Sequence, residues 1–168
     1  MTNAAVELVV AAAENDVIGR ANRMPWHLAG DMRHFRSLTL GRHVLMGRKT
    51  YESIGKALPD RTNWVLSRSP RFSPADCRVI SNLAEARAEA AGEFPLMVLG
   101  GAEIYRLCLP MARRIHLTLV HTQVDDGDTF FGEWRNPEWR ESTRERHDAD
   151  AKNDHAYSFI TLDRAAAR

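Results

Sequence analysis

Short apolar runs alternate with stretches of helical period along most of the chain. The first run, Val6–Ala13, is interrupted only by Glu7 and predicts a strand. A polar loop at 14–27 follows, punctuated by Asn15, Gly19, Asn22 and Pro25. Residues 28–39 predict a helix in which Leu28, Asp31, Met32, Phe35 and Leu38 share one face, with Arg33, Arg36 and Ser37 opposite. Strands are predicted at 43–46, 63–67, 96–99 and 115–122. Between them, helices are predicted at 50–54, at 83–91 with Gly92 as the stop, and at 102–109 with Pro110 as the stop. The tail changes character. Residues 139–146 and 156–162 read as two strands joined by a polar stretch with Asp148, Asp150, Asn153 and Asp154, a hairpin pattern.

Alternating strands and helices imply an α/β fold, a mostly parallel central sheet with helices on both faces. The tail hairpin supplies an antiparallel C-terminal edge. At 168 residues the chain fits one domain spanning 1–168. Net charge is +1, which argues against a general nucleic-acid binder. The N-terminal run lacks the basic flank of a signal peptide, and no apolar run is long enough to span a membrane. Two cysteines, Cys77 and Cys108, are too few for a disulfide framework and suit a reducing compartment. The expected location is the cytoplasm.

Asp31 is the first candidate for chemistry. A carboxylate among Leu28, Phe35 and Leu38 is costly to bury, and burial raises its pKa toward the range useful for handling a proton. The alternative is an ordinary first-turn acid, favoured by the helix dipole. Two strand-to-helix turns suit phosphate groups. Gly47-Arg48-Lys49-Thr50 offers backbone N–H groups, two cations and Thr50 as a possible cap, and Gly100-Gly101 lets a backbone approach a pyrophosphate closely. Either could equally be a plain turn. The Walker and Gly-x-Gly-x-x-Gly patterns are absent. The seven histidines look scattered, and the His147-to-His155 stretch reads as a solvated turn rather than a metal site. Cys108 reads as core. Met24, Pro25 and Trp26, on the loop before the Asp31 helix, suggest a lid that excludes water, or a loop packed on the core.

Taken in order, these pieces resemble dihydrofolate reductases of the bacterial chromosomal type. The motifs are Val17-Ile18-Gly19, Met24-Pro25-Trp26, Asp31 with Phe35, Met46-Gly47-Arg48-Lys49-Thr50, Glu52-Ser53-Ile54-Gly55, Leu58-Pro59 with Arg61, Leu66-Ser67-Arg68, Gly100-Gly101-Ala102 with Ile104-Tyr105, Leu117-Thr118 and Gly127-Asp128-Thr129. The resemblance runs from about Val6 to Arg164. It implies an eight-stranded sheet, NADPH as hydride donor and 7,8-dihydrofolate as acceptor. Asp31 would hydrogen-bond the pterin and promote protonation at N5 through water, supported by Thr118. Met32, Phe35, Ile54 and Leu58 would wall the substrate, Arg61 would pair its glutamate carboxylate, and Lys56 would add charge nearby. Val9 and Leu99 would present carbonyls to the pterin edge, with Tyr105 near the nicotinamide and the pterin.

On the cofactor side, Arg48 and Arg68 would bind the adenosine 2′-phosphate, next to Gly47, Leu66 and Ser67. Lys49, Thr50 and the helix start at Gly100, Gly101, Ala102, Glu103 and Ile104 would hold the pyrophosphate, across a cis bond at the glycine pair. Ala11, Ile18, Gly19 and Asn22 would line the nicotinamide side. Met24 would serve as the lid and Trp26 as a catalytic neighbour, with Gly127 and Asp128 steadying the closed lid. The resemblance also implies a monomer that binds diaminopyrimidine and pteridine antifolates.

Some positions depart from the family pattern. Asp60 stands where glycine is common, and Ala29-Gly30 replaces a proline-containing helix entry. Asp125-Asp126 adds a residue before Gly127, and Glu103 brings an acid near the pyrophosphate. Two other functions compete: a related NADPH-dependent pyrimidine reductase, and a non-catalytic folate- or NADPH-binding module. Asp31 with Phe35 and Arg61 argues against the first, and the joint presence of acid and cofactor motifs against the second.

Overall fold

A computed structural model describes residues 3–165. Eight strands form one mixed sheet: β1 (Val6–Ala13), β3 (His43–Gly47), β4 (Thr62–Leu66), β5 (Arg78–Ile80), β6 (Leu96–Gly100), β7 (Ala112–Val120), β9 (Trp139–His147) and β10 (Tyr157–Arg164). Their order is β5-β4-β3-β6-β1-β7-β10-β9. A separate two-stranded ribbon pairs β2 (Val17–Gly19) with β8 (Thr129–Phe130). The helices are α1 (Ala29–Thr39), α2 (Arg48–Ile54), α3 (Leu83–Glu89) and α4 (Ala102–Cys108). The chain groups into two compact units.

The first unit holds residues up to Leu8 and Leu38–Ala112. Its strands are all parallel, with Val6 opposite Leu96, Val44 opposite Met97, Leu45 opposite Trp64 and Val65 opposite Val79. Val44, Leu45 and Met46 are fully buried, and all of β6 is buried. That explains why these strands read as unbroken apolar runs rather than alternating ones. Asn82 caps α3 by accepting a hydrogen bond from the Glu85 N–H at 3.2 Å. Thr50 is not a cap. Helix α2 begins two residues earlier than expected, with Gly47 at its N-cap and no side-chain cap. The helix after Gly101 stops at Cys108, and Leu109–Met111 tightens into a 3-10 turn that accommodates Pro110. Cys108 is buried, as expected of core, and burial pushes its thiol up to about 12.

The second unit holds Val9–Ser37 and the chain from Arg113 onward. Strand β10 runs antiparallel to both β7 and β9, with Phe159 opposite Thr118 on one side and Glu145 on the other. Strand β9 carries five charged residues among exposed positions, a composition that blunts a sheet edge. The expected irregular loop at 14–27 contains β2, and the two-residue strand β8 gave no sequence signal of its own. Three of the scattered histidines prove to be neighbours. The His34 ring stacks on Phe159 at 3.8 Å, the His147 ring lies 5.0 Å from Phe159, and His34 and His116 line one cavity.

The tail turn is largely exposed, as expected, and is also tied to the start of α1. The Gly30 N–H donates to Asn153 Oδ1 at 2.9 Å, the Ala29 N–H to the Lys152 carbonyl at 3.1 Å and the His27 N–H to Asp154 Oδ2 at 2.8 Å. These acceptors satisfy amides that a helix start otherwise leaves unpaired. Asn153 is 4% exposed, and its amide also donates to Asp150 Oδ1 at 2.8 Å.

Candidate active site

In the second unit, α1 delivers Asp31 in its first turn, so the local reading of a first-turn acid is correct. The side chain nonetheless turns inward. Thr118, 4% exposed on β7, donates its hydroxyl to Asp31 Oδ1 at 2.6 Å. Burial lifts the Asp31 carboxyl above its ordinary range, and the Thr118 bond only partly offsets this. The pair is therefore an acid held in a fixed rotamer with one oxygen engaged. Along the same helix Phe35 is half-buried, whereas Met32 is 59% exposed. The apolar stripe thus splits into a packed part and an open part.

The loop expected to act as a lid lies in the same unit. Trp26 packs with Ala13, Val17, Leu28, Val120, Val124 and Tyr157. Its indole N–H is buried with no hydrogen-bond partner among the described residues. Met24 is exposed. Arg20 and Arg23 exchange backbone hydrogen bonds of 2.8 and 3.1 Å across a tight turn. Both turn residues, Ala21 and Asn22, have left-handed φ values of 51° and 61°. Asn tolerates that region and Ala does not favour it. The Ala21 N–H donates to Asp128 Oδ2 at 2.8 Å, and the Asp128 N–H to the Gly19 carbonyl at 3.1 Å. The extra residue before Gly127 leaves these bonds intact, and Asp126 adopts a left-handed φ of 60° there. Ala11, Ile18 and Gly19 are half-buried, and Ala11 packs against the Trp26 cluster.

The first unit carries the phosphate-type turns. At Gly47 a Cβ would come within 2.9 Å of Ile104 Cγ1, so glycine is what lets β3 run against α4. The Gly100–Gly101 bond is cis, and Gly100 has a φ of 115° with space for a Cβ closed off by the Tyr105 ring. Tyr105 is buried and donates its hydroxyl to the Leu99 carbonyl at 2.9 Å. A Cβ on Gly101 would meet only Thr50 Oγ1, at 3.6 Å, which leaves an accessible strip of backbone beside that hydroxyl. Arg48, Lys49 and Arg68 are exposed. Arg48 Nε donates to Glu52 Oε1 at 2.7 Å, and Ser67 Oγ accepts from the Ser69 N–H at 3.1 Å. Leu66 closes β4 at a half-buried position, while Ala102 and the exposed Glu103 open α4.

Arg61 is braced in this unit. Its Nε donates to Thr39 Oγ1 at 2.9 Å and Nη1 to the Pro59 carbonyl at 2.9 Å. Asp60 adopts a left-handed φ of 61°, the conformation that made glycine common at this turn. Asn63 was not flagged in the sequence, yet it holds the turn together. Its buried amide accepts from the Leu58 N–H and donates to the Leu58 carbonyl, both at 2.9 Å, and donates to the Arg61 carbonyl at 3.1 Å. Ile54 and Lys56 are exposed and Leu58 is half-buried.

The sequence profile of the dihydrofolate reductase family matches residues 5–164. The chain belongs to the dihydrofolate reductase family. A type 3 dihydrofolate reductase from Salmonella typhimurium is 42% identical over 95% of this chain and 98% of that protein. A dihydrofolate reductase from Haemophilus influenzae is 40% identical over 94% and 97%. Among solved structures, a dihydrofolate reductase from Enterococcus faecalis complexed with NADP(H) and RAB-propyl superimposes with a TM-score of 0.88. It is 29% identical and covers 96% of this chain and 97% of that one. Within this family frame the donor set of the first unit fits a phosphorylated dinucleotide: three exposed cations, one hydroxyl and a glycine backbone open beside it.

Proposed function

We propose that the chain reduces 7,8-dihydrofolate to 5,6,7,8-tetrahydrofolate with NADPH, supplying tetrahydrofolate for one-carbon metabolism. The observation that carries the reading is Asp31, an inward-turned acid with a raised pKa, fixed by Thr118. When bound, NADPH would supply the hydride that C6 of the pterin accepts.

Asp31 does the binding and proton work. One carboxylate oxygen is held by Thr118, and the other accepts from the pterin's amino group and ring N–H. Burial raises the pKa of Asp31 above that of an ordinary aspartate, and the residue promotes protonation at N5 through a solvent molecule rather than as a direct acid. The unpartnered Trp26 N–H orients that solvent molecule. Protonated N5 makes the C6–N5 double bond a better hydride acceptor. Val9 and Leu99 present carbonyls to the pterin edge. The Leu99 oxygen spends one lone pair on Tyr105 and keeps the other for the ring. Met32, Phe35, Ile54 and Leu58 cover the apolar body of the substrate. Arg61, pre-aligned by Thr39 and Pro59, pairs with the glutamate carboxylate, and Lys56 adds a second cation.

Lys49, Thr50 and the Gly100-Gly101-Ala102 backbone hold the pyrophosphate, with Glu103 and Ile104 in the same turn of α4. Arg48 and Arg68, with Gly47, Leu66 and Ser67 around them, take the 2′-phosphate. Ala11, Ile18, Gly19 and Asn22 face the nicotinamide, and Met24 shields it from water. The chain acts as a cytoplasmic monomer without nucleic-acid partners, and diaminopyrimidine antifolates bind by pairing with Asp31. The test is loss of NADPH absorbance with and without dihydrofolate. Folate-dependent loss is expected, and its absence overturns the reading.

A further inference from the structure

The segment from Ser67 to Cys77 joins β4 to β5 and carries Arg68. A connection of this length is costly to order unless something ties it down. The tie is at its far end. Asp76 Oδ1 accepts the Tyr51 hydroxyl, and Asp76 Oδ2 accepts the Ala57 N–H at 2.8 Å. One carboxylate therefore bridges the middle of α2 and the residue two beyond the helix's Gly55 C-cap. Between the ends, Phe72 packs edge-on against the Tyr51 ring, with centroids 5.6 Å apart. The Arg48 guanidinium lies over the Phe72 ring, 5.4 Å from its centroid. Glu52 holds Arg48 Nε from within the helix. The direction of Arg48 is thus set by two neighbours, and one of them sits on the tied loop.

We propose that Asp76 is a positioning residue for the choice between NADPH and NADH: by latching the 67–77 loop to Tyr51 and Ala57, it fixes Phe72 and Arg68 and, through Phe72, Arg48. The proposal rests on the assignment of Arg48 and Arg68 to the 2′-phosphate. Asp76 is assigned no contact with substrate or cofactor and acts through Tyr51, Ala57 and Phe72. Its carboxyl lies below the usual carboxylate range because the Tyr51 hydroxyl and the Ala57 amide both favour the charged form, so the latch is closed at neutral pH. Because NADH lacks the 2′-phosphate, it gains nothing from ordered arginines. Loosening the latch therefore weakens one cofactor and leaves the other unchanged.

The experiment measures KM and kcat for NADPH and NADH at saturating dihydrofolate. The proteins are the full-length chain, Asp76→Ala, Asp76→Asn, Tyr51→Phe and the Tyr51→Phe/Asp76→Ala double variant, with thermal melts to verify folding. Asp76→Ala is expected to raise the KM for NADPH about tenfold, the scale of a lost hydrogen bond to a charged group. The KM for NADH and kcat at saturating NADPH should stay within about twofold, a margin small beside that tenfold change. Asp76→Asn and Tyr51→Phe, which each keep half the latch, should fall between. The double variant should be no worse than Asp76→Ala. If the unmodified chain shows no preference for NADPH, the 2′-phosphate assignment fails and the proposal with it. If that preference is present and Asp76→Ala leaves it unchanged, or shifts both cofactors equally, the latch is only structural and the proposal alone is overturned.

Discussion

Asp31 illustrates how far a single residue can be read. Its place on an apolar stripe marked it as unusual, but the same position is compatible with a routine first-turn acid. What separates the two is the partner. Thr118 is 87 residues away in sequence, and no local pattern announces a bond between them. The bond and the burial together give a stability consequence. A carboxyl whose folded pKa is raised favours the folded state most below its ordinary value of 3.8, and this contribution is lost as pH rises through the folded pKa. At neutral pH the charged form is therefore a burden on the fold. Asp31→Asn is expected to raise the melting temperature at pH 7 by a few degrees, on the order of what 1 kcal/mol does in a domain of this size. The gain should vanish near pH 3. Calorimetry at the two pH values measures it, and a lower melting temperature at pH 7 would contradict the burial argument.

At the scale of elements, strands and helices with strong patterns were legible to within a few residues. Strand β1 needed no correction, and α1 starts one residue later than expected. The short ribbon of β2 and β8 was not legible, because two or three residues carry too little period to stand out. The tail turn was legible only in part. Its aspartates are exposed, as a solvated turn requires, but only the fold shows Asp154 and the buried Asn153 accepting the His27 and Gly30 amides at the entry to α1. Gly30 belongs to the same junction. A Cβ there would lie 1.9 Å from the Tyr157 hydroxyl. Replacement of the family's proline-containing entry is therefore a close approach of backbone to side chain. Gly30→Ala is expected to destabilise by about 1–3 kcal/mol through overpacking. Asn153→Ala should cost a similar amount, about 1–3 kcal/mol, by stranding the buried Gly30 N–H. Urea unfolding measures both. If Tyr157→Phe fails to recover part of the Gly30→Ala loss, the assigned clash is wrong.

Across the whole molecule, the order of motifs carried the family and the eight-stranded sheet, and the parallel block and antiparallel edge match what the strand–helix alternation and the tail hairpin imply. What the motifs could not convey is how the cations proposed to hold the cofactor are themselves held. Arg48 is paired with Glu52, and the loop bearing Arg68 is tied through Asp76 to α2. Cofactor choice is expected to depend on both arginines. In Arg48→Ala/Arg68→Ala, NADPH affinity should fall far more than NADH affinity, since each lost guanidinium–phosphate contact is charge-assisted. Equal weakening of the two cofactors would remove the 2′-phosphate assignment. The central claim remains that a raised-pKa Asp31, fixed by Thr118, promotes protonation at N5. Its most direct test is the pH dependence of turnover for the unmodified chain and for Asp31→Asn, with saturating NADPH and dihydrofolate. The unmodified chain should lose rate as pH rises through the Asp31 pKa. Asp31→Asn should be slower by roughly 10²- to 10⁴-fold at pH 7, with the gap narrowing in acid where the substrate arrives protonated. An Asp31→Asn variant as fast as the unmodified chain at pH 7 would contradict the account.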